Sequence, residues 1–252
     1  LHFREIGPRE VAIRDYVNAM RPDLVFITGD FVEGVPAIVS GSGRWQARKP
    51  NPIERERFDL CLKWLGKMKA RLGLWGVLGN KEHMRGRDTN SIVQDLESAG
   101  VRVLVNQNHP IKDKDSFFWL VGVDDPYTRH DDLQKAISGI PIEGIKILLA
   151  HSPAVINEAA KLGVHLVLVG HTHGGQIRLP FVRPLYLNIK CSFKYASGLF
   201  RKDETWLYVN RGIGVSLAIL RPFLIPEIAL LRLKRAEVRG QGTADKKLNL
   251  EP

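Results

Sequence analysis

Four apolar runs in this chain each end on a side chain able to bind a cation, and that repetition constrains the fold more than any other feature. Leu24-Val25-Phe26-Ile27-Thr28-Gly29 leads to Asp30, and Leu74-Trp75-Gly76-Val77-Leu78-Gly79 leads to Asn80. Ile145-Lys146-Ile147-Leu148-Leu149-Ala150 leads to His151, and Leu166-Val167-Leu168-Val169-Gly170 leads to His171. Runs of this length and character are strand formers. In α/β sheets ligands collect beyond the carboxyl ends of the strands, so four such endings predict one crevice lined by Asp30, Asn80, His151, His171 and His173. Read as a continuation of the strand, His171 and His173 fall on one side of it, and Gly174 and Gly175 then turn the backbone away.

Between the strands the spacing predicts helices over 10–20, 53–71, 89–99, 131–138 and 153–162, the last opened by Pro153. Further strands are expected at 101–105 and 117–123, separated by a polar turn at 112–115, and at 206–210 and 227–233. Residues 1–3 read as the end of an opening strand with His2 at its tip, and Asp124, Asp125 and His130 as solvated turn residues. Two long excursions interrupt the pattern. Residues 31–52 carry Arg44, Trp45, Arg48 and Lys49 and are expected to rim the crevice. Residues 180–204 interleave Phe181, Tyr186, Phe193, Tyr195 and Phe200 with cations, a composition suited to stacking on a base or meeting lipid. The chain thus divides into one domain over 1–233 and a flexible tail over 234–252.

No run of about eighteen uncharged apolar residues occurs, which excludes a bilayer-spanning segment within this sequence. Lys and Arg number 37 against 27 Asp and Glu, a formal charge of +10 that favours phosphorylated or otherwise anionic partners. Cys61 and Cys191 require neither a disulfide framework nor a metal knuckle.

The ordered motifs resemble those of the calcineurin-like metallophosphoesterases, which read Asp-x-His, Gly-Asp-x-x-Asp, Gly-Asn-His-Asp/Glu, a lone His and Gly-His-x-His. The matches here are His2, Gly29-Asp30 with Glu33, Gly79-Asn80-Lys81-Glu82, His151 and Gly170-His171-Thr172-His173. The extended form Gly-His-Thr-His-Gly-Gly-Gln-Ile-Arg-Leu-Pro, with Arg211-Gly212-Ile213-Gly214, is more narrowly similar to the bacterial branch of YkuE-type and YaeI-type phosphodiesterases, near the chlamydial hydrolase of UDP-2,3-diacylglucosamine. The resemblance implies a four-layer α/β sandwich of two mixed β-sheets flanked by helices. It implies a centre of two divalent transition metal ions, Mn²⁺ first and Fe or Zn²⁺ next, about 3.5–4 Å apart and acidifying a shared water. By position Asp30 bridges them, His2 and His173 complete one, and Asn80, His151 and His171 complete the other. The family's first carboxylate falls on a residue preceding Leu1.

Lys81 stands where the family has a histidine that touches the scissile phosphate. An ammonium clamps a phosphate oxygen but is a poor proton donor at neutral pH, which leaves His83 as the substitute acid. Asn80 and Lys81 are thus the expected catalytic pair, and Lys81 and His83 the substrate contacts. The implied reaction is hydrolysis of a phosphodiester or pyrophosphate, with UDP-2,3-diacylglucosamine or another nucleotide- or lipid-linked compound as substrate. Phosphomonoesterase, nuclease and non-catalytic phosphate- or membrane-binding module are the competing readings. The partners implied are a phosphorylated small molecule or lipid and an anionic membrane surface. Nucleic acid is not expected as the main partner, and the location implied is a bacterial membrane face, peripheral or anchored upstream of Leu1.

Overall fold

A computed structural model describes residues 5–31, 52–84, 87–114, 116–175, 193–214, 226–235 and 248–250. Helix α1 (Pro8–Ala19) begins with proline in its first turn, where a missing N–H costs nothing, and the Glu10 carboxylate accepts the Gly7 N–H at 3.1 Å. Strand β1 (Val25–Ile27), helix α2 (Pro52–Leu65), strand β2 (Leu74–Gly76), helix α3 (Thr89–Ser98) and strand β3 (Val101–Val103) follow. Asp88 caps α3 by accepting the Asn90 N–H at 3.0 Å. These three strands form a parallel sheet in the order β1-β2-β3.

A second sheet is mixed. It contains β4 (Gln107–Asp113), β5 (Ser116–Gly122), β6 (Lys146–Leu149), β7 (Leu166–Val169), β8 (Gly198–Lys202) and β9 (Thr205–Val209), ordered β4-β5-β6-β7-β9-β8. Its centre, β5 to β9, is parallel, and antiparallel strands β4 and β8 close its edges. Helices α4 (Leu133–Ile137) and α5 (Ile156–Lys161) cover its outer face. The expected Phe117 strand is β5, but its partner β4 was not foreseen. Gln-Asn-His-Pro-Ile-Lys-Asp offers a single buried apolar side chain, Ile111, and a polar edge strand of that kind carries no hydrophobic period.

Strand residues alternate between a core shared by the two sheets and a core on the outer face of their own sheet. Phe26, Trp75, Ile147, Leu149, Leu166, Leu168, Trp206 and Tyr208 fill the space between the sheets. Val25, Ile27 and Leu74 turn outward to the layer of α2 and α3, and Leu148, Val167, Val169, Leu207 and Val209 turn outward to α4 and α5. Burial on both faces is the reason these strands read as unbroken apolar runs, and each buried large aliphatic contributes about 1.5–3 kcal/mol. The result is four layers, helix on sheet on sheet on helix, as the resemblance implied. Within the stretch expected as a flexible tail, β11 (Leu248–Leu250) pairs antiparallel with β10 (Leu233–Arg235).

Candidate metal centre

The four predicted endings belong to two sheets. β1 and β2 of the smaller sheet lead to Asp30 and Asn80, while β6 and β7 of the larger lead to His151 and His171. The sheets face one another with these ends together, so the crevice lies across the sandwich. The histidine pair departs from the extended continuation that the sequence predicts. His171 and His173 do not continue the strand; their φ values of 68° and 49° place both in the left-handed region. Thr172 sits between them, its hydroxyl donating to the Ala196 carbonyl at 2.6 Å and accepting from Gly174 N–H at 3.3 Å. A tight turn and not a pleat sets the direction of the two imidazoles.

Asp30, with φ 58°, and the preceding Gly29, with φ 90°, make a second left-handed pair. A side chain on Gly29 would put its Cβ 2.7 Å from the Gly79 nitrogen and 2.7 Å from His151 Nδ1; one on Gly79 would meet Asp30 Oδ1 at 2.6 Å. The two loops therefore approach backbone to backbone, which only glycine permits.

Ligand atoms of Asp30, His151 and His171 all lie within 4.8 Å of one another. His151 Nδ1 is 2.6 Å from the Thr28 carbonyl oxygen, so that nitrogen carries the proton and Nε2 turns its lone pair into the site. Around Nε2 stand Asn80 Oδ1 at 3.1 Å, His171 Nδ1 at 2.9 Å and Asp30 Oδ1 at 3.5 Å. A carboxylate, an amide oxygen and a lone-pair nitrogen repel one another unless positive charge lies among them. This donor set fits a divalent metal ion. His173 lines the same cavity.

Sequence reasoning missed how the loops are held. The carboxylate of Glu82 is fully buried, and its Oε2 accepts both the Asp30 N–H at 3.0 Å and the Gly79 N–H at 2.7 Å. Lys81 N–H in turn donates to Asp30 Oδ1 at 3.1 Å. Arg87 pins the next stretch, donating to the Lys81 carbonyl at 2.6 Å and to buried Glu54 of α2 at 2.7 Å. Farther on, Arg211, Tyr208 and Asn210 converge on Glu227. The only signal for Glu82 was its place in the Gly-Asn-Lys-Glu run; Arg87, Glu54 and Glu227 had none.

His83 turns to Asp124, with Nε2 2.6 Å from Oδ1, and its ring stacks on His130 at 4.1 Å between centroids. Burial opposes a charged imidazole here, but the Asp124 hydrogen bond and the charges of Asp124, Asp125 and Glu82 outweigh it, and the titration lies above the ordinary histidine value. Asp124 and Asp125 are therefore not solvated turn residues as expected. Both are buried, and Asp125 accepts from Thr128 N–H and hydroxyl at 2.8 and 2.7 Å, which satisfies its charge inside the turn. That turn abuts the candidate ligands through Tyr127, whose ring is 5.0 Å from His171. His2, Glu33, the 32–51 loop with Arg44, Trp45, Arg48 and Lys49, and residues 180–192 lie outside the described residues. Among the described residues no helix is long and apolar enough to cross a membrane.

The family model for calcineurin-like phosphoesterases matches residues 6–175. The uncharacterised metallophosphoesterase YkuE of Bacillus subtilis is 29% identical over 86% of this chain and 70% of its own length. Phosphodiesterase YaeI of Escherichia coli is 28% identical over 92% of this chain and 79% of its own. A transmembrane protein with metallophosphoesterase domain from Bos taurus is 31% identical, and the match spans 78% of this chain but 42% of that protein. Because the family model matches residues 6–175, well over half of the chain, this chain belongs to the calcineurin-like phosphoesterase family and is a metallophosphoesterase-type hydrolase.

Proposed function

We propose that the protein hydrolyses phosphodiester or pyrophosphate bonds at a dinuclear centre, on a nucleotide-linked or lipid-linked substrate such as UDP-2,3-diacylglucosamine. The observation that carries this reading is the convergence of Asp30, His151 and His171 from two sheets on one point, with Asn80 beside them. Asp30, His2 and His173 would hold one ion, and Asp30, Asn80, His151 and His171 the other, with Mn²⁺ the favoured metal. Bound there, the ions supply charge neutralisation on the phosphate and an acidified water.

The chain's own residues do the rest. Thr28 fixes the His151 tautomer, and Lys81, whose backbone is tied to Asp30, brings its ammonium to a phosphate oxygen. Asp124 holds His83 through Nε2, leaving Nδ1–H as the donor to the departing oxygen. The charge of +10 suits an anionic substrate and an anionic membrane surface, and the naming of YaeI as a phosphodiesterase favours diesters. With Mn²⁺ present, turnover of bis-p-nitrophenyl phosphate should exceed that of p-nitrophenyl phosphate and vanish in Asp30→Asn. Preference for the monoester would favour the phosphomonoesterase reading, and digestion of plasmid DNA the nuclease. Flotation with anionic liposomes, weakened by salt, tests the membrane surface.

A further inference from the structure

Arg211-Gly212-Ile213-Gly214 supplies none of the candidate ligands, yet the fold brings it beside them. β9 runs parallel to β7 with Val209 opposite Val169, and the pairing continues one bond further, Asn210 N–H donating to the Val169 carbonyl at 2.8 Å. His171 follows Val169 by two residues and Arg211 follows Val209 by two. The two stretches therefore leave the sheet at one level, a strand spacing of about 4.8 Å apart. Arg211, Asp30, His171 and His173 line a single cavity of about 1320 Å³.

Local sequence makes this corner rigid. Asn210 Oδ1 accepts the Gly212 N–H at 2.6 Å and Gly212 has φ 72°, so a short polar side chain and a glycine turn the chain over with Arg211 at the tip. The Gly212 carbonyl accepts the Glu227 N–H at 3.2 Å, and the Ile213 carbonyl accepts from the Arg9 guanidinium of α1. Three side chains from the end of β9 then share the Glu227 carboxylate. The Tyr208 hydroxyl and Asn210 Nδ2 donate to Oε1, and Arg211 Nε donates to Oε2. Burial and the neighbouring carboxylate raise the Tyr208 titration well above its ordinary value, so its hydroxyl stays a donor. Glu227 is enclosed, its side chain 13% exposed, whereas that of Arg211 is 37% exposed. A planar guanidinium anchored through Nε has less freedom to lose when it meets an anion.

We infer that Arg211 binds the phosphoryl group next to the scissile one, which makes a pyrophosphate diester the fitting substrate in preference to a simple phosphodiester. The inference rests on the hydrolytic function proposed for the centre. Charge balance supports it. A phosphodiester carries a single negative charge, which the bound cations and the Lys81 ammonium meet. A pyrophosphate diester carries another on the adjoining phosphoryl group, and a guanidinium fixed one strand away from His171 takes it with paired N–H···O bonds. An arginine serves this better than a lysine would, because its rigid fork matches two oxygens of one phosphoryl group at once.

The test is calorimetric binding to the Mn²⁺-loaded chain, a readout that needs no turnover. Methylenediphosphonate presents two phosphoryl groups on a bridge that resists hydrolysis, and methylphosphonate presents one. Arg211→Met should weaken methylenediphosphonate by about 10–100-fold and methylphosphonate by much less. Arg211→Lys keeps a cation beside Glu227 but gives up the fork, so its loss of methylenediphosphonate should fall between those of the native chain and Arg211→Met. Equal losses for the two phosphonates in both variants would overturn the inference and leave Arg211 a structural partner of Glu227. A larger loss for phosphonoacetate than for methylenediphosphonate would overturn it too, since the second group would then be a carboxylate. Discrimination between the phosphonates by a chain that hydrolyses neither diesters nor pyrophosphates would sink the proposed reaction and leave the Arg211 subsite standing.

Discussion

Glu82→Ala should break the candidate centre from behind, without touching a ligand. In the native chain the Oε2 oxygen of a fully buried carboxylate takes two N–H groups, those of Asp30 and Gly79. Removing it orphans both donors away from water, at about 1–3 kcal/mol each, so the loss is roughly 2–6 kcal/mol before any cavity is counted. Glu82→Gln keeps an oxygen able to accept both bonds and loses only the charge assistance, about 1–2 kcal/mol. Urea denaturation in EDTA measures this with metal excluded. Mn²⁺ titration of the folded variants then reads the second effect, a fall in affinity of about 10–100-fold, as when a group that orients metal ligands is lost. If Ala unfolds within about 0.5 kcal/mol of the native chain, or Gln is as damaging as Ala, Glu82 is not the clamp described.

Lys81→Ala should lower diester turnover by about 10² with little change in metal affinity, if its ammonium stabilises charge that develops in the transition state; steady-state kinetics and metal titration separate the two. His83 followed by NMR should titrate above the usual histidine value of about 6.5, and Asp124→Asn should bring it down. Because its folded value is raised, the stability it contributes is complete below about pH 6.5 and is lost as pH rises through the folded value, so the gap between native chain and Asp124→Asn should narrow with rising pH. Burial pushes the Cys61 thiol up to about 12, so iodoacetamide should leave Cys61 of the folded chain unmodified near pH ~8 and alkylate it once urea opens the core; reaction in the folded chain refutes that burial.

The candidate site was legible in the sequence where chemistry and backbone demand coincide. Asp30, Asn80, His151 and His171 each close an apolar run, and the strands that carry them are buried on both faces, so the hydrophobic signal was continuous and its ends sharp. What could not be read was membership of sheets. Each ending looked alike, and nothing local says that Asp30 and Asn80 come from one sheet and His151 and His171 from another. β4 was hidden because an exposed edge strand has no apolar face to display, and the turn of His171 because left-handed backbone at a histidine leaves no composition behind.

The least legible parts are also those that make the centre a single object. Thr28 reaches His151 through a carbonyl oxygen, Glu82 reaches Asp30 through an amide, and Gly29 reaches Gly79 through the absence of a side chain. Each contact joins stretches 50 or more residues apart, and in each at least one partner is backbone, whose place no side-chain pattern announces. The His151 contact crosses from the larger sheet to the smaller, so the tautomer that exposes Nε2 depends on the two sheets being in register at their carboxyl ends. A cation bound by Asp30 and His151 would then fasten the same seam from the other side. Loss of packing between the sheets, for example at Leu149 or Leu168, should on this reasoning weaken cation binding as well as stability.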